Sequence, residues 1–309
     1  MKNEHEINFN ELPVDKENSS VSYNDKLHKY WIKGTKQACI SVTTLIHKFT
    51  TFDEEFWSSY KALERILDED EFKQIKPELL STKKLNPDLL DRVGIEKELF
   101  NETRDEILAE WAEKREISCI RGTKIHEQHE LGHLDGVTPE IQQLGLGGSF
   151  KPRVDNNIVL GEQGVYPELL LSYVSEDSKL RIAGQADLVI VDDHTVYILD
   201  YKTNKEIKKK SFYDQKKKKS EMMKYPLNNL EDVNFWHYSL QLSTYAWMIE
   251  KAFPEVTINK LILIHYDHEG QCTPYECDYL KKDVERMLNF YKKEIEHNEF
   301  LKSRAKISF

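Results

Sequence analysis

The chain has 309 residues, 39% of them hydrophobic and 32% charged, which is long enough for one large domain or two and too apolar for an intrinsically disordered chain. Its formal net charge of −10 argues against a surface built throughout to coat nucleic acid. Four cysteines without paired spacing argue against a disulfide scaffold or a zinc site. With no signal-like start and no apolar run near the roughly 20 residues that span a bilayer, an intracellular, cytoplasmic, soluble protein away from membranes is expected.

In chain order, "KLHKYWIKGTKQACISVTTLI" reads as a hairpin around Gly34 and a helix starting near Ser41, because aromatic and β-branched residues flank a turn before a Ser/Thr cluster. From Phe52 to about Arg115, apolar residues recur at helical spacing, with "KPELLSTKKLNPDLL" as a proline-marked break. The helical pattern continues through "RGTKIHEQHELGHL" and weakens at residues 145 to 157, where glycine and proline collect. Three strands follow in "GVYPELLLSYV", "LRIAGQADLVIVDD" and "TVYILDYKT", as an antiparallel meander. After them come a long amphipathic helix in "FWHYSLQLSTYAWMIEKAF", a buried strand in "KLILIHYDH" and a closing helix in "YLKKDVERMLNFYKKEIEHN".

Alternation along the second strand of the meander puts Ile182, Gly184, Ala186, Leu188 and Ile190 on one face and Asp187 on the other, among Ala183, Val189 and Val191. On the third strand Asp200 and Lys202 share a face about 7 Å apart. Alone, that pair reads as an ordinary cross-strand ion pair worth little. A buried Asp187 beside Asp200 changes the reading, because two carboxylates in a partly apolar site repel unless a cation neutralises them. One or two Mg²⁺ or Mn²⁺ ions suit such oxygen ligands.

The order "GQAD" at 184–187, "DYKT" at 200–203 and "QLSTY" at 241–245 resembles the PD-(D/E)XK nuclease superfamily, in its RecB-like exonuclease branch. The upstream "RGTKIHEQHE" at 121–130 is similar to the Gly-Thr-x-x-His helix of RecB-like and mitochondrial genome maintenance exonucleases. Four short motifs in this order span roughly half the chain. The fold implied is α/β (α+β), a restriction-endonuclease-like core with a mixed central sheet flanked by helices. It is expected over residues 121–309, with residues 1–120 as an N-terminal hairpin and helical cap that selects single-stranded ends.

The resemblance implies that Asp187 and Asp200 hold metal together with the Tyr201 carbonyl, while Lys202 faces the scissile phosphate. Glu168 matches the branch's additional acidic residue, and also reads as a solvated strand-end glutamate. His126 matches its histidine metal ligand, with Glu130 one turn on as a supporting residue; His129 and His133 read as structural. Gln241 and Tyr245, four apart on one helix face, would sit beside the active site, with Thr203 after the lysine in support. Arg121 is a candidate phosphate contact, or a surface residue.

Residues 205 to 224 carry nine lysines against three acidic residues. Lys208, Lys209 and Lys210 open this run, which reads either as a solvated loop or as a phosphate-contacting one, with Phe212, Tyr213 and Tyr225 as stacking candidates. Cys272 and Cys277 lack the third downstream cysteine of an iron–sulfur cluster, so none is expected. "LGLGGS" at 144–149 lacks the Gly-Lys-Ser/Thr ending of a P-loop, so any ATP-driven translocation would belong to a helicase or recombination partner. The expected function is a Mg²⁺-dependent exonuclease acting on DNA with free ends in replication, recombination or repair, of phage or mobile-element type. The alternatives are a structure-specific endonuclease and a non-catalytic DNA-binding subunit.

Overall fold

The computed structural model describes residues 19–24, 27, 29–86, 88–211, 213–214 and 219–307. The chain divides into two compact units, one formed by Met1–Thr50 with Lys124–Phe309 and the other by Thr51–Thr123.

The smaller unit is helical. It contains α2 (Glu54–Ile66), α3 (Glu69–Thr82), α4 (Leu89–Arg92) and the first part of α5 (Lys97–Leu134). Asp53 caps α2, and Asp68 closes a capping box with Glu71 on α3, so local side chains satisfy the first orphan N–H groups of both helices. Phe56, Tyr60, Leu63, Phe72, Ile75, Leu79 and Phe100 form its core. The expected break at "KPELLSTKKLNPDLL" is displaced: α3 runs through Pro77 to Thr82, and Phe72, Ile75 and Leu79, buried at one-turn spacing, hold the helix across the proline.

The larger unit carries a mixed sheet, nine-stranded among the described residues. Its leading strands are β1 (Val21–Asn24), β2 (Lys29–Ile32) and β3 (Ala38–Ser41), followed by α1 (Val42–His47), which Ser41 caps. After α5 come α6 (Pro139–Gln143), β4 (Lys151–Pro152), β5 (Glu162–Val174), β6 (Arg181–Asp193) and β7 (Thr195–Lys202). A separate two-stranded pair, β8 (Tyr213–Asp214) and β9 (Lys219–Ser220), precedes α7 (Asn234–Ala252), β10 (Thr257–Tyr266), β11 (Cys272–Cys277) and α8 (Lys281–Ile307). The sequence divides the chain at residue 120; in the structure β1–β3 instead extend the main sheet, because β3 pairs in parallel with β6 at Ile40–Ile182 and Ser41–Ala183.

The expected meander is present: β5, β6 and β7 pair antiparallel in succession, and β10 adds in parallel to β7. β5 covers one edge of β6 along nearly its whole length. The other edge is shared, by β3 at residues 182–183 and by β7 at residues 188–192. Between these two ladders lies the stretch "GQAD". One face of the sheet packs on α1, α7 and α8 through residues such as Ile182, Ile198, Leu242 and Val284. The other buries Leu188, Ile190, Leu199 and Tyr201 beside Ile141, Leu144 and Phe150.

The alternation expected along β6 does not hold. Ile182 and Ala186 pack in one core cluster with Val189 and Val191, whereas Leu188 and Ile190 pack in the other. The pleat is interrupted around Asp187, and β5 shows the same interruption opposite it, where Glu168 has a left-handed φ of 49°. Such a conformation costs a non-glycine residue about 1–3 kcal/mol. Fully burying one leucine or isoleucine contributes roughly 1.5–3 kcal/mol, so the packing on both faces outweighs the strain.

Candidate active site

Three acidic residues meet where the strands open. Pro167–Leu188 and Leu169–Ala186 are paired on either side of Glu168 and Asp187, so these two stand opposite one another. The β6–β7 ladder runs from Asp192–Thr195 to Leu188–Leu199 and stops there, with Asp187 and Asp200 next in register. Directly opposed residues of antiparallel strands project to the same face. At the opening, a side chain takes over from the ladder: the Tyr201 N–H donates to Asp187 Oδ2 at 2.7 Å. Gln185 Nε2 donates to the Glu168 carbonyl at 3.2 Å, which supports the strained turn of β5.

His126, on the last turns of α5, completes the cluster. Its Nδ1 lies 3.5 Å from Asp187 Oδ1 and 3.7 Å from Glu168 Oε1, and its Nε2 lies 3.3 Å from the Tyr201 carbonyl oxygen. One donor atom each from His126, Glu168 and Asp187 lie within 4.8 Å of one another. Burial opposes charge on His126, but Asp187 and Glu168 outweigh it and raise its pKa to about 9. Burial, then the charge of Asp200, push Asp187 up to about 8 against the pull of His126 and Lys202. A site that drives a carboxylate to hold its proton near neutral pH is short of positive charge. The donors, carboxylate oxygens with one imidazole and one carbonyl, fit a divalent metal.

Lys202 closes the other side. Its ammonium is in ion-pair contact with Asp200 Oδ2 and lies 4.8 Å from the Tyr238 ring centroid. Burial disfavours its charge, but Asp200 and Asp187 reverse that and keep the ammonium protonated. Asp200, 1% exposed, accepts from Gln241 Nε2 at 3.0 Å through Oδ1, and the same amide nitrogen lies 3.2 Å from the Tyr245 hydroxyl. α7 therefore orients the carboxylate from behind. Gly184 explains itself here, since a Cβ at that position would lie 2.6 Å from Cε1 of Tyr245.

The structure thus gathers Glu168, Asp187, Asp200, Tyr201, Lys202, His126, Gln241 and Tyr245. Glu130 follows His126 by one turn on α5, and Thr203 directly follows β7, half-buried. Arg121 belongs to the Thr51–Thr123 unit. Sequence reasoning missed Tyr238, whose hydroxyl donates to Asn204 Oδ1 at 2.6 Å while its ring flanks Lys202. The signal was present, because Tyr238, Gln241 and Tyr245 recur at i, i+3 and i+7 on one helix face.

The start of the lysine run is ordered by packing. Lys208 donates its N–H to Asn234 Oδ1 at 2.8 Å, and Lys209 Nζ lies 4.7 Å and 5.3 Å from the ring centroids of Phe235 and Tyr275. Lys210 is exposed. Phe212 and Lys216–Lys218 lie outside the described residues; Tyr213 belongs to the β8–β9 pair. Tyr225 is exposed and meets the Phe290 ring edge-on at 5.5 Å. Among the described residues no helix is long and apolar enough to cross a membrane.

Comparison with known proteins matches residues 60–271 to the PD-(D/E)XK nuclease superfamily. No curated protein matches the chain significantly. Among solved structures, that of SSO0001 is similar over 83% of this chain and 78% of that chain, at 14% identity and a TM-score of 0.31, a slight likeness.

Proposed function

The chain belongs to the PD-(D/E)XK nuclease superfamily, and from that premise we propose that it is a Mg²⁺-dependent exonuclease that hydrolyses phosphodiester bonds from free DNA ends, with a preference for single strands. The observation that carries the reading is the convergence of Lys202 and Asp200 with Asp187, Glu168 and His126 at one opening of the sheet. The exonuclease assignment rests on the resemblance of the His126 helix and of the Gln241–Tyr245 helix to the RecB-like branch.

Asp187, Asp200, Glu168, His126 and the Tyr201 carbonyl would hold the ion. When bound, it supplies Lewis-acid polarisation of the phosphate and a more acidic water. The protein's own groups do the rest. Lys202, kept as an ammonium, offers charge to the phosphate oxygens as negative charge grows in the transition state. Gln241 holds Asp200 in orientation, and the Tyr201 N–H holds Asp187.

Digestion of end-labelled linear and circular DNA, single-stranded and duplex, tests the reading with Mg²⁺, Mn²⁺ or EDTA. Loss of linear single strands alone, abolished by EDTA and by Lys202→Ala, is the expected result. Cutting of circles identifies an endonuclease instead, and DNA binding without cleavage a non-catalytic subunit.

A further inference from the structure

We propose that His129, His133 and Glu140 form a second metal site, for a first-row transition ion of the Zn²⁺ type, distinct from the carboxylate cluster. The two histidines stand one turn apart on α5 and so share a face. Glu140 comes from α6, and one donor atom from each of the three lie within 4.8 Å of one another. His133 and Glu140 are buried, at 1% and 2% exposure. The His129 side chain, 21% exposed, leaves a route from solvent.

A count of protons shows what the cluster lacks. His133 Nδ1 lies 3.2 Å from the Val137 carbonyl oxygen, which has no proton to give, so Nδ1 carries the hydrogen and a neutral ring presents a lone pair at Nε2. That lone pair faces the Tyr201 hydroxyl at 3.0 Å. The hydroxyl owns a single proton and donates it to Glu140 Oε1 at 2.9 Å. The second oxygen of the same carboxylate, Oε2, is buried with no hydrogen-bond partner among the described residues. His129 Nδ1 adds another donor atom 3.9 Å from Oε1. Lone pairs outnumber protons, and a buried acceptor left unmatched is costly.

A proton on His133 would settle its contact with Tyr201 but leave Oε2 unmatched. A metal ion engages imidazole and carboxylate together. Two imidazoles with one carboxylate is a donor set of zinc and its neighbours, whereas Mg²⁺ favours oxygen alone. Donation of the second ring N–H to a backbone carbonyl, as His133 makes to Val137, is the usual support of a metal-bound histidine. The ion would join α5 and α6 around the Tyr201 ring, on which His129 stacks at 4.1 Å. It would thereby brace the strand that carries Asp200 and Lys202.

Calorimetric titration of the EDTA-stripped, desalted Asp187→Asn chain with Zn²⁺, in excess Mg²⁺, tests this without reading nuclease activity. One Zn²⁺ per chain is expected, at least tenfold weaker when His129→Ala or Glu140→Gln is added. Circular dichroism of both double variants in EDTA confirms their folding. His129→Ala, at the exposed side of the cluster, serves as the readout if Glu140→Gln unfolds. Co²⁺ should give an intense visible spectrum that His129→Ala removes. Absence of Zn²⁺ binding, or binding unchanged by His129→Ala, overturns the proposal.

Discussion

The carboxylate of Asp187 accepts the backbone N–H of Tyr201 at 2.7 Å, so a side chain completes the edge of a β-ladder that ends one pair earlier. An asparagine can make the same bond through its amide oxygen. Asp187→Asn should therefore keep the fold, standing in for the protonated carboxyl that the metal-free site favours near neutral pH. In EDTA its melting temperature should equal or exceed that of the wild type, and nuclease activity should fall by at least about 10²-fold. A clear drop in melting temperature would show that the carboxylate charge stabilises the metal-free fold.

Lys202 and Asp200 neutralise one another in a buried setting. Lys202→Ala leaves the aspartate uncompensated and should destabilise the chain by about 3–5 kcal/mol. Adding Asp200→Asn should recover most of that loss and none of the activity. Urea denaturation of the two single variants and the double variant measures the coupling directly. Additive losses would mean that the pair contributes nothing as a pair.

Gly184 lies against the Tyr245 ring. Gly184→Ala forces the ring to move and should cost about 1–3 kcal/mol. The cost should shrink in a Tyr245→Ala background, which a double-mutant cycle reads. An unchanged cost would place the strain elsewhere. Because Tyr245 meets the amide that orients Asp200, activity should fall further in Gly184→Ala than stability alone explains.

Protons and metal compete at His126 and Asp187. The pKa values in the metal-free fold, about 9 and about 8, lie above the ordinary 6.5 and 3.8. Across that window the folded chain binds protons that the unfolded chain has released, so these groups make stability fall as pH rises. The His126 contribution is complete below about pH 6.5 and lost as pH passes about 9; that of Asp187 is complete below about pH 4 and lost through about pH 8. Melting temperatures at pH 5, 7 and 9 should thus show Mg²⁺ stabilising the protein more at the higher pH values. An equal effect of Mg²⁺ at all three would contradict the assignment of these residues as ligands.

Most elements that build the site were legible in the chain. The strands at "GQAD" and "DYKT" and the helix at "QLSTY" follow from local hydrophobic period and from turn and cap residues, which act between near neighbours. Asp200 and Lys202 share a face as strand alternation requires. Tyr238 was legible too, through helical spacing, but its use against Lys202 depends on how α7 lies on the sheet.

By itself, the sequence determined the strands and helices that carry the site motifs, and that Asp200 and Lys202 share one face. Only the tertiary structure decided what depends on partners remote in the chain. β3 joins β6 across some 140 residues, an arrangement that no local pattern encodes. The β6 pleat breaks at Asp187, opposite Glu168 at its left-handed φ of 49°, in the stretch where one edge of β6 passes from β3 to β7. His129, His133 and Glu140 meet around Tyr201, as packing of α5 and α6 on the sheet sets their distances.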